Sequence, residues 1–233
     1  SCLMDRLRTF VSSNQFHIAL VCLILIPSIV LRLYAFTVSN STMQSGVSPK
    51  WPQVDVSDSG RDYIIANHIV TYGEFPMNGP EGRLRSNISP LYFYLLSGVL
   101  FIHNDIRFLS LFNVFLQILA LLGVYALART LFGKETGIIA LTLFGLSNAI
   151  ILQSYMNWQP HVMQPFIILS YLLLAWGDKK RSKSLLLWST VIFLVSIALH
   201  YSALAIAPAF LVMVILAFRR AQAKLKDYIV FGM

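Results

Sequence analysis

Two carboxylates and a guanidinium stand close together in this 233-residue chain: Asp58, Arg61 and Asp62. Positions i, i+3 and i+4 share one face of a helix, and the surrounding stretch reads as one. Ser57 suits an N-cap, and Asp58 falls in the first turn, where the helix dipole favours an anion. Ile64, Ile65, Ile69 and Val70 supply an apolar stripe suited to a membrane surface. Carboxylates held at a lipid–water boundary could act on a polar lipid headgroup. A plainer reading is equally available: Asp58 stabilises a helix start, and Asp62 pairs with Arg61. The choice depends on whether the rest of the chain builds such a boundary.

It does. Only 12% of the residues are charged, against about a quarter in a soluble domain. With a mean hydropathy of +0.68 this excludes a disordered chain and an ordinary cytosolic enzyme. Two cysteines, Cys2 at the terminus and Cys22 inside an apolar run, exclude a disulfide scaffold. The run from Phe16 to Phe36 is long enough to cross a bilayer, as is Phe108 to Ala128. Shorter runs follow at Thr136–Leu152, His161–Trp176, Leu185–Leu199 and Ala203–Phe218, and their polar flanks can complete a crossing by snorkelling. Pro90 to Ile102 is too short to span and suits an interfacial helix. Arg6 and Arg8 ahead of the first run also suit a signal peptide, but the run outlasts an h-region and lacks a small-x-small cleavage site. The expected fold is therefore all-α, a polytopic membrane bundle of six spans with interfacial helices in a long first loop, residues 37–106.

The net charge of +8 tests this topology. With six spans, one face carries twelve basic residues against four acidic ones, which accounts for the whole excess. Arg6, Arg8, Arg129, Lys134 and the Lys179–Lys183 and Arg219–Lys226 clusters all fall there. Such segments are cytoplasmic by the positive-inside rule, so the N-terminus is expected inside a cell membrane. The other face carries six of each sign and is neutral. The excess therefore sets orientation, and a nucleic-acid partner has no support.

The neutral face holds the 37–106 loop, the turn Asn157-Trp158-Gln159-Pro160 and the turn Leu199-His200-Tyr201-Ser202. In order along the chain, Asp58-Ser59-Gly60-Arg61-Asp62, Gly79-Pro80, Ser89-Pro90-Leu91-Tyr92-Phe93-Tyr94 and these two turns resemble the front of integral-membrane GT-C glycosyltransferases. That group includes the protein mannosyltransferases and the aminoarabinose lipid A transferases. The resemblance covers about Phe16 to Phe218. It departs from many relatives in having Asp58-Ser59 for Asp-Glu, and Ile88-Ser89-Pro90-Leu91 for a Lys-Pro-Pro-Leu type run.

The resemblance implies that a sugar moves from a polyprenyl-phosphate carrier to a hydroxyl of a lipid, glycan or protein acceptor, at the outer face of the bilayer. Inversion at the anomeric carbon needs a base on the acceptor proton, and the departing phosphate needs donors. Asp58 matches the first acid of the family motif and is the expected base. Arg61 and Asp62 would orient it or contact substrate. Arg83 and Arg85 suit phosphate, or else anchor to anionic headgroups. Gln159, His161, His200 and Tyr201 would wall the site, their alternative being plain capping and interface roles. Some relatives hold a divalent metal ion near the acidic motif, to which Asp58 and Asp62 could contribute, although the sequence shows no metal-spaced cluster. Asn40-Ser41-Thr42 and Asn87-Ile88-Ser89 match glycosylation acceptors, relevant only in a eukaryotic secretory pathway. Relatives continue with further spans, so residues 1–233 are expected to form one transferase-like domain cut short at its C-terminus. A transporter or flippase part is the rival reading, but it calls for mid-span Asp, Glu or Lys, and the runs hold none.

Overall fold

The structure, a computed structural model, describes residues 14–45, 58–80 and 89–230. Among these residues the regular elements are all helices. In chain order they are α1 (Asn14–Ser45), α2 (Asp58–Tyr72), α3 (Leu91–Ile102), α4 (Ile106–Phe132), α5 (Lys134–Gly145), α6 (Asn148–Gln153), α7 (Gln159–Lys180), α8 (Lys183–Leu199), a 3-10 turn (Tyr201–Ile206) and α9 (Ala207–Val230). The all-α expectation is met. The expected helix after Ser57 is α2 and the Pro-led one is α3, with Pro90 just before its first turn, where a missing N–H costs nothing.

Four stretches are long and apolar enough to cross a bilayer: Asn14–Val38, Ile106–Phe132, Gln159–Lys180 and Tyr201–Gln222. The other two expected spans differ from them. The apolar helix α8 has 17 residues and rises only about 26 Å, short of a hydrocarbon core of about 30 Å. The run Thr136–Leu152 is not one helix, because it stops at Gly145 and restarts at Asn148 with Ser147 in extended conformation. The break is met by a tertiary contact. Arg32, fully buried in α1, donates from Nη1 to the Gly145 carbonyl at 2.9 Å and from Nη2 to the Phe144 carbonyl at 3.3 Å. A carbonyl freed by a break inside an apolar medium must find a donor, and Arg32 supplies it.

Polar contacts sort the helix ends. His17 Nε2 lies 2.8 Å from the Tyr125 hydroxyl, and Lys134 Nζ donates to Asn14 Oδ1 at 2.7 Å. Trp176 Nε1 donates to Thr130 Oγ1 at 3.2 Å, and Arg220 grips Asp178 through two 2.8 Å bonds. These join the start of α1, the α4–α5 turn, the α7–α8 turn and the lower part of α9 at one end. Arg129, Lys134, the Lys179–Lys183 group, Arg219 and Arg220 lie on these segments, while Arg6 and Arg8 fall outside the described residues.

The opposite end is built around an apolar cluster. Ala66 and Ile69 of α2, Tyr92, Phe93, Leu96, Val99 and Leu100 of α3, Leu109 and Leu116 of α4, Val162 and Met163 of α7, Leu199 of α8 and Ala203 all pack in it. The α2 stripe therefore faces protein, not the membrane surface as its sequence suggested. Ile69 is buried, Ile65 and Val70 pack against the cluster, and Ile64 alone of the four is exposed. Burying those side chains against α3 removes more apolar area from solvent than a headgroup layer would.

Candidate active site at the apolar-cluster end

Asp58 opens α2, and its side chain lies outside the described ones, as do all of Arg83 and Arg85. Three residues on, Arg61 donates from Nε and Nη2 to Asp62 Oδ1 at 3.0 and 2.7 Å. Asp62 is buried and Arg61 half-buried, so the pair is screened less than a surface one. One turn later α2 is fastened to α3 and its sequel. Ser97 Oγ donates to the Ala66 carbonyl at 3.2 Å, and Asn104 Nδ2 donates to Asn67 Oδ1 at 2.8 Å. The loop between α2 and α3 is tied back by a bond from the Tyr94 hydroxyl to the Pro76 carbonyl at 2.5 Å, with Phe75 packed edge-on against the Tyr94 ring. Burial and the charge of Asp105 push the Tyr63 phenol above its usual range. Asp105 caps α4 through the Arg107 N–H at 2.7 Å, and the Arg107 guanidinium holds its carboxyl below the usual range.

Gln159 and His161 occupy the first turn of α7 and are buried. The Trp158 ring stands edge-on to His161, with centroids 5.2 Å apart. This turn is locked to α4. Asn157 Nδ2 donates to Ser110 Oγ at 3.0 Å, Asn113 Nδ2 to the Met156 carbonyl, and Gln117 Nε2 to the His161 carbonyl at 2.9 Å. The last bond has a local cause. Pro165 sits inside α7 and has no N–H, so the carbonyl four residues back, that of His161, has lost its helical donor. Gln117 replaces it. Asn113 and Gln117 were legible only as polar residues within a span. The signal that finds their role is a long amide donor on one span facing a proline on the next.

His200 ends α8 and starts the 3-10 turn, and is half-buried. Its Nδ1 accepts from the Ser202 N–H at 3.2 Å and lies 2.7 Å from Ser202 Oγ. Burial holds its imidazole below the usual value, which favours the neutral ring that this acceptor role needs. Tyr201 stacks on it at 4.6 Å and is exposed. The structure thus brings α2, the start of α7 and the His200 turn into one apolar cluster at one end of the bundle.

The chain can now be set beside known proteins. Residues 87–233, more than half of it, match the family of dolichyl-phosphate-mannose-protein mannosyltransferases. The chain belongs to this family. No curated protein and no solved structure matches it. Membership agrees with the GT-C resemblance drawn from the motif order, and makes this a membrane glycosyltransferase domain. The mannosyltransferase match starts just ahead of α3 and takes in the Gln159, His161 and His200 turns. Asp58, Arg61 and Asp62 precede it and rest on the bundle geometry and motif order alone. Among the described residues no group of three or more His, Cys, Asp or Glu gathers as metal ligands. Asp62 Oδ1 already accepts from a guanidinium, and no step below runs through a metal ion.

Proposed function

We propose that this mannosyltransferase-family protein moves a sugar from a polyprenyl-phosphate carrier to a hydroxyl of a lipid, glycan or protein acceptor at the outer face of the cell membrane, with inversion. The observation that carries the reading is the gathering of α2, α3, the α7 start and the His200 turn at the end opposite the basic one. The basic end is cytoplasmic in this proposal, and the N-terminus with it. Six crossings follow, by α1, α4, the interrupted α5–α6 pair, α7, α8 and α9, with α2 and α3 at the interface. Exposed Phe75 and Met77 after α2, and Phe101 and Ile102 at the end of α3, suit insertion among headgroups.

In the reaction the acceptor oxygen attacks the anomeric carbon from the side opposite phosphate. The bond from that carbon to the phosphate oxygen breaks, and polyprenyl phosphate leaves with the electron pair. Asp58 takes the acceptor proton. Arg61 and Asp62, paired side by side on α2, orient the base or contact substrate, and Arg83 and Arg85 meet the departing phosphate. Gln159, His161, His200 and Tyr201 wall the sugar.

The test is transfer of labelled sugar from polyprenyl phosphate by the full-length protein in liposomes. Wild type is expected to transfer and Asp58→Asn to lose activity by about a hundredfold or more. Unchanged transfer by Asp58→Asn would overturn the assignment of the base. A reporter fused after Ile102 should read as external, and a cytoplasmic reading would sink the six-span topology.

A further inference from the structure

The basic end of the bundle is not evenly charged. The α7–α8 turn exposes Lys179, Lys180, Arg181 and Lys183 within five residues, and Arg219 and Arg220 of α9 are exposed beside it. The Asp178–Arg220 pair, with both bonds at 2.8 Å, fixes α9 against this turn. It also spends the turn's single carboxylate, with Arg181 4.0 Å from the same oxygen. The geometry of the turn is constrained. A Cβ at Gly177 would come within 2.8 Å of Leu186 Cδ2, so α7 and α8 meet too closely there for any larger residue. Arg181 itself closes α7 in the left-handed region, at φ 53°. Glycine is the usual residue at such a position, so the chain carries a cation where glycine is the common choice.

We propose that the α7–α8 turn and the adjoining stretch of α9 form a binding site for anionic phospholipid headgroups. Sidedness needs only a modest positive bias spread along the loops. Here the Asp178–Arg220 bonds bring the cations of the turn and of α9 to one corner, and Trp188, one to two turns into α8, is exposed. Lysine and arginine donors suit headgroup phosphate, and an indole suits the headgroup layer just beneath them. Bound lipid would clamp α7, α8 and α9 together from the end opposite the proposed active site.

The experiment uses the full chain in vesicles of phosphatidylcholine alone or of phosphatidylcholine mixed with phosphatidylglycerol, and follows the thermal unfolding midpoint. Wild type should gain stability with phosphatidylglycerol, and raising the salt should erase the gain by screening. Replacing Lys179, Lys180, Lys183 and Arg219 by glutamine should abolish the gain while leaving the midpoint in phosphatidylcholine unchanged. Apparent affinity should fall roughly fivefold for each cation removed. Replacing the three lysines by arginine should retain the gain. The proposal is overturned if the glutamine variant keeps the gain, or if inorganic phosphate without anionic lipid reproduces it. Equal midpoints for wild type in the two lipids would overturn it as well.

Discussion

Arg32 and Gly145 lie 113 residues apart in sequence and are joined by a 2.9 Å hydrogen bond from the guanidinium to the backbone carbonyl. The bond depends on a close approach of α1 to α5, since a Cβ at Gly145 would stand 2.5 Å from Ser28 Oγ. Arg32→Met leaves the Phe144 and Gly145 carbonyls without that donor in an apolar setting and should cost about 2 kcal/mol or more of stability. Arg32→Lys reaches fewer carbonyls and should fall between the two. Gly145→Ala should be destabilising on its own and partly rescued by Ser28→Gly, which removes the obstructing side chain. Thermal unfolding in detergent reads all four variants. A wild-type midpoint for Arg32→Met would show that the break is held by something else.

The same logic gives a sharper test at Gln117. Its amide meets the His161 carbonyl because Pro165 cannot. Gln117→Leu should cost about 1–3 kcal/mol by orphaning that carbonyl. Adding Pro165→Ala restores an N–H at the right place, so the double variant should recover much of the loss. A double-mutant cycle with no coupling would refute the replacement.

These two contacts also mark where the sequence stops being legible. Apolar run lengths were enough to place α1, α4 and α7, since lipid selects for length and little else. The helix beginning at Asp58 and the Pro90 start were readable because end preferences are local, although the expected Ser57 cap lies outside the described residues. The interruption after Gly145 was not, because Leu146-Ser147-Asn148 holds neither glycine nor proline, and the donor that meets the freed carbonyls is an arginine on another helix. Arg32 lies inside the Phe16–Phe36 run, and nothing in that run signals the partner it finds, yet it is fully buried. At the site, His200 was recognisable as either cap or wall, and the structure shows it capping through Nδ1. Gln159 and His161 read as a polar cluster in an outer turn, and burial against α4 could not be inferred without knowing which span α7 packs on.

The His200 cap sets a pH dependence. Burial lowers the folded-state pKa from the ordinary value of 6.5. As pH falls through about 6.5 the unfolded chain takes up a proton that the folded one resists, so stability declines. The decline ends once pH drops below the folded value, where both states are protonated. His200→Asn keeps an acceptor near the Ser202 N–H and removes the titration. It should flatten this part of the stability curve while keeping the cap. A slope unchanged in His200→Asn would assign the dependence to another group.

The acidic motif can be dissected in the same manner. Asp58 is proposed to touch substrate, whereas Asp62 is buried and bound to Arg61 on the neighbouring position. Asp58→Asn should therefore lower kcat and leave both the unfolding midpoint and the donor KM near wild type. Asp62→Asn keeps the shape but withdraws the charge that faces a half-buried guanidinium. It should lower the midpoint, by about 1–3 kcal/mol of stability, and reduce activity less than Asp58→Asn does. Asp62→Glu keeps the charge that faces Arg61 and should restore part of both. The pH profile separates the roles further: the acid limb of kcat should vanish in Asp58→Asn and persist in Asp62→Asn. An acid limb that disappears with Asp62 and survives the loss of Asp58 would reverse the two assignments.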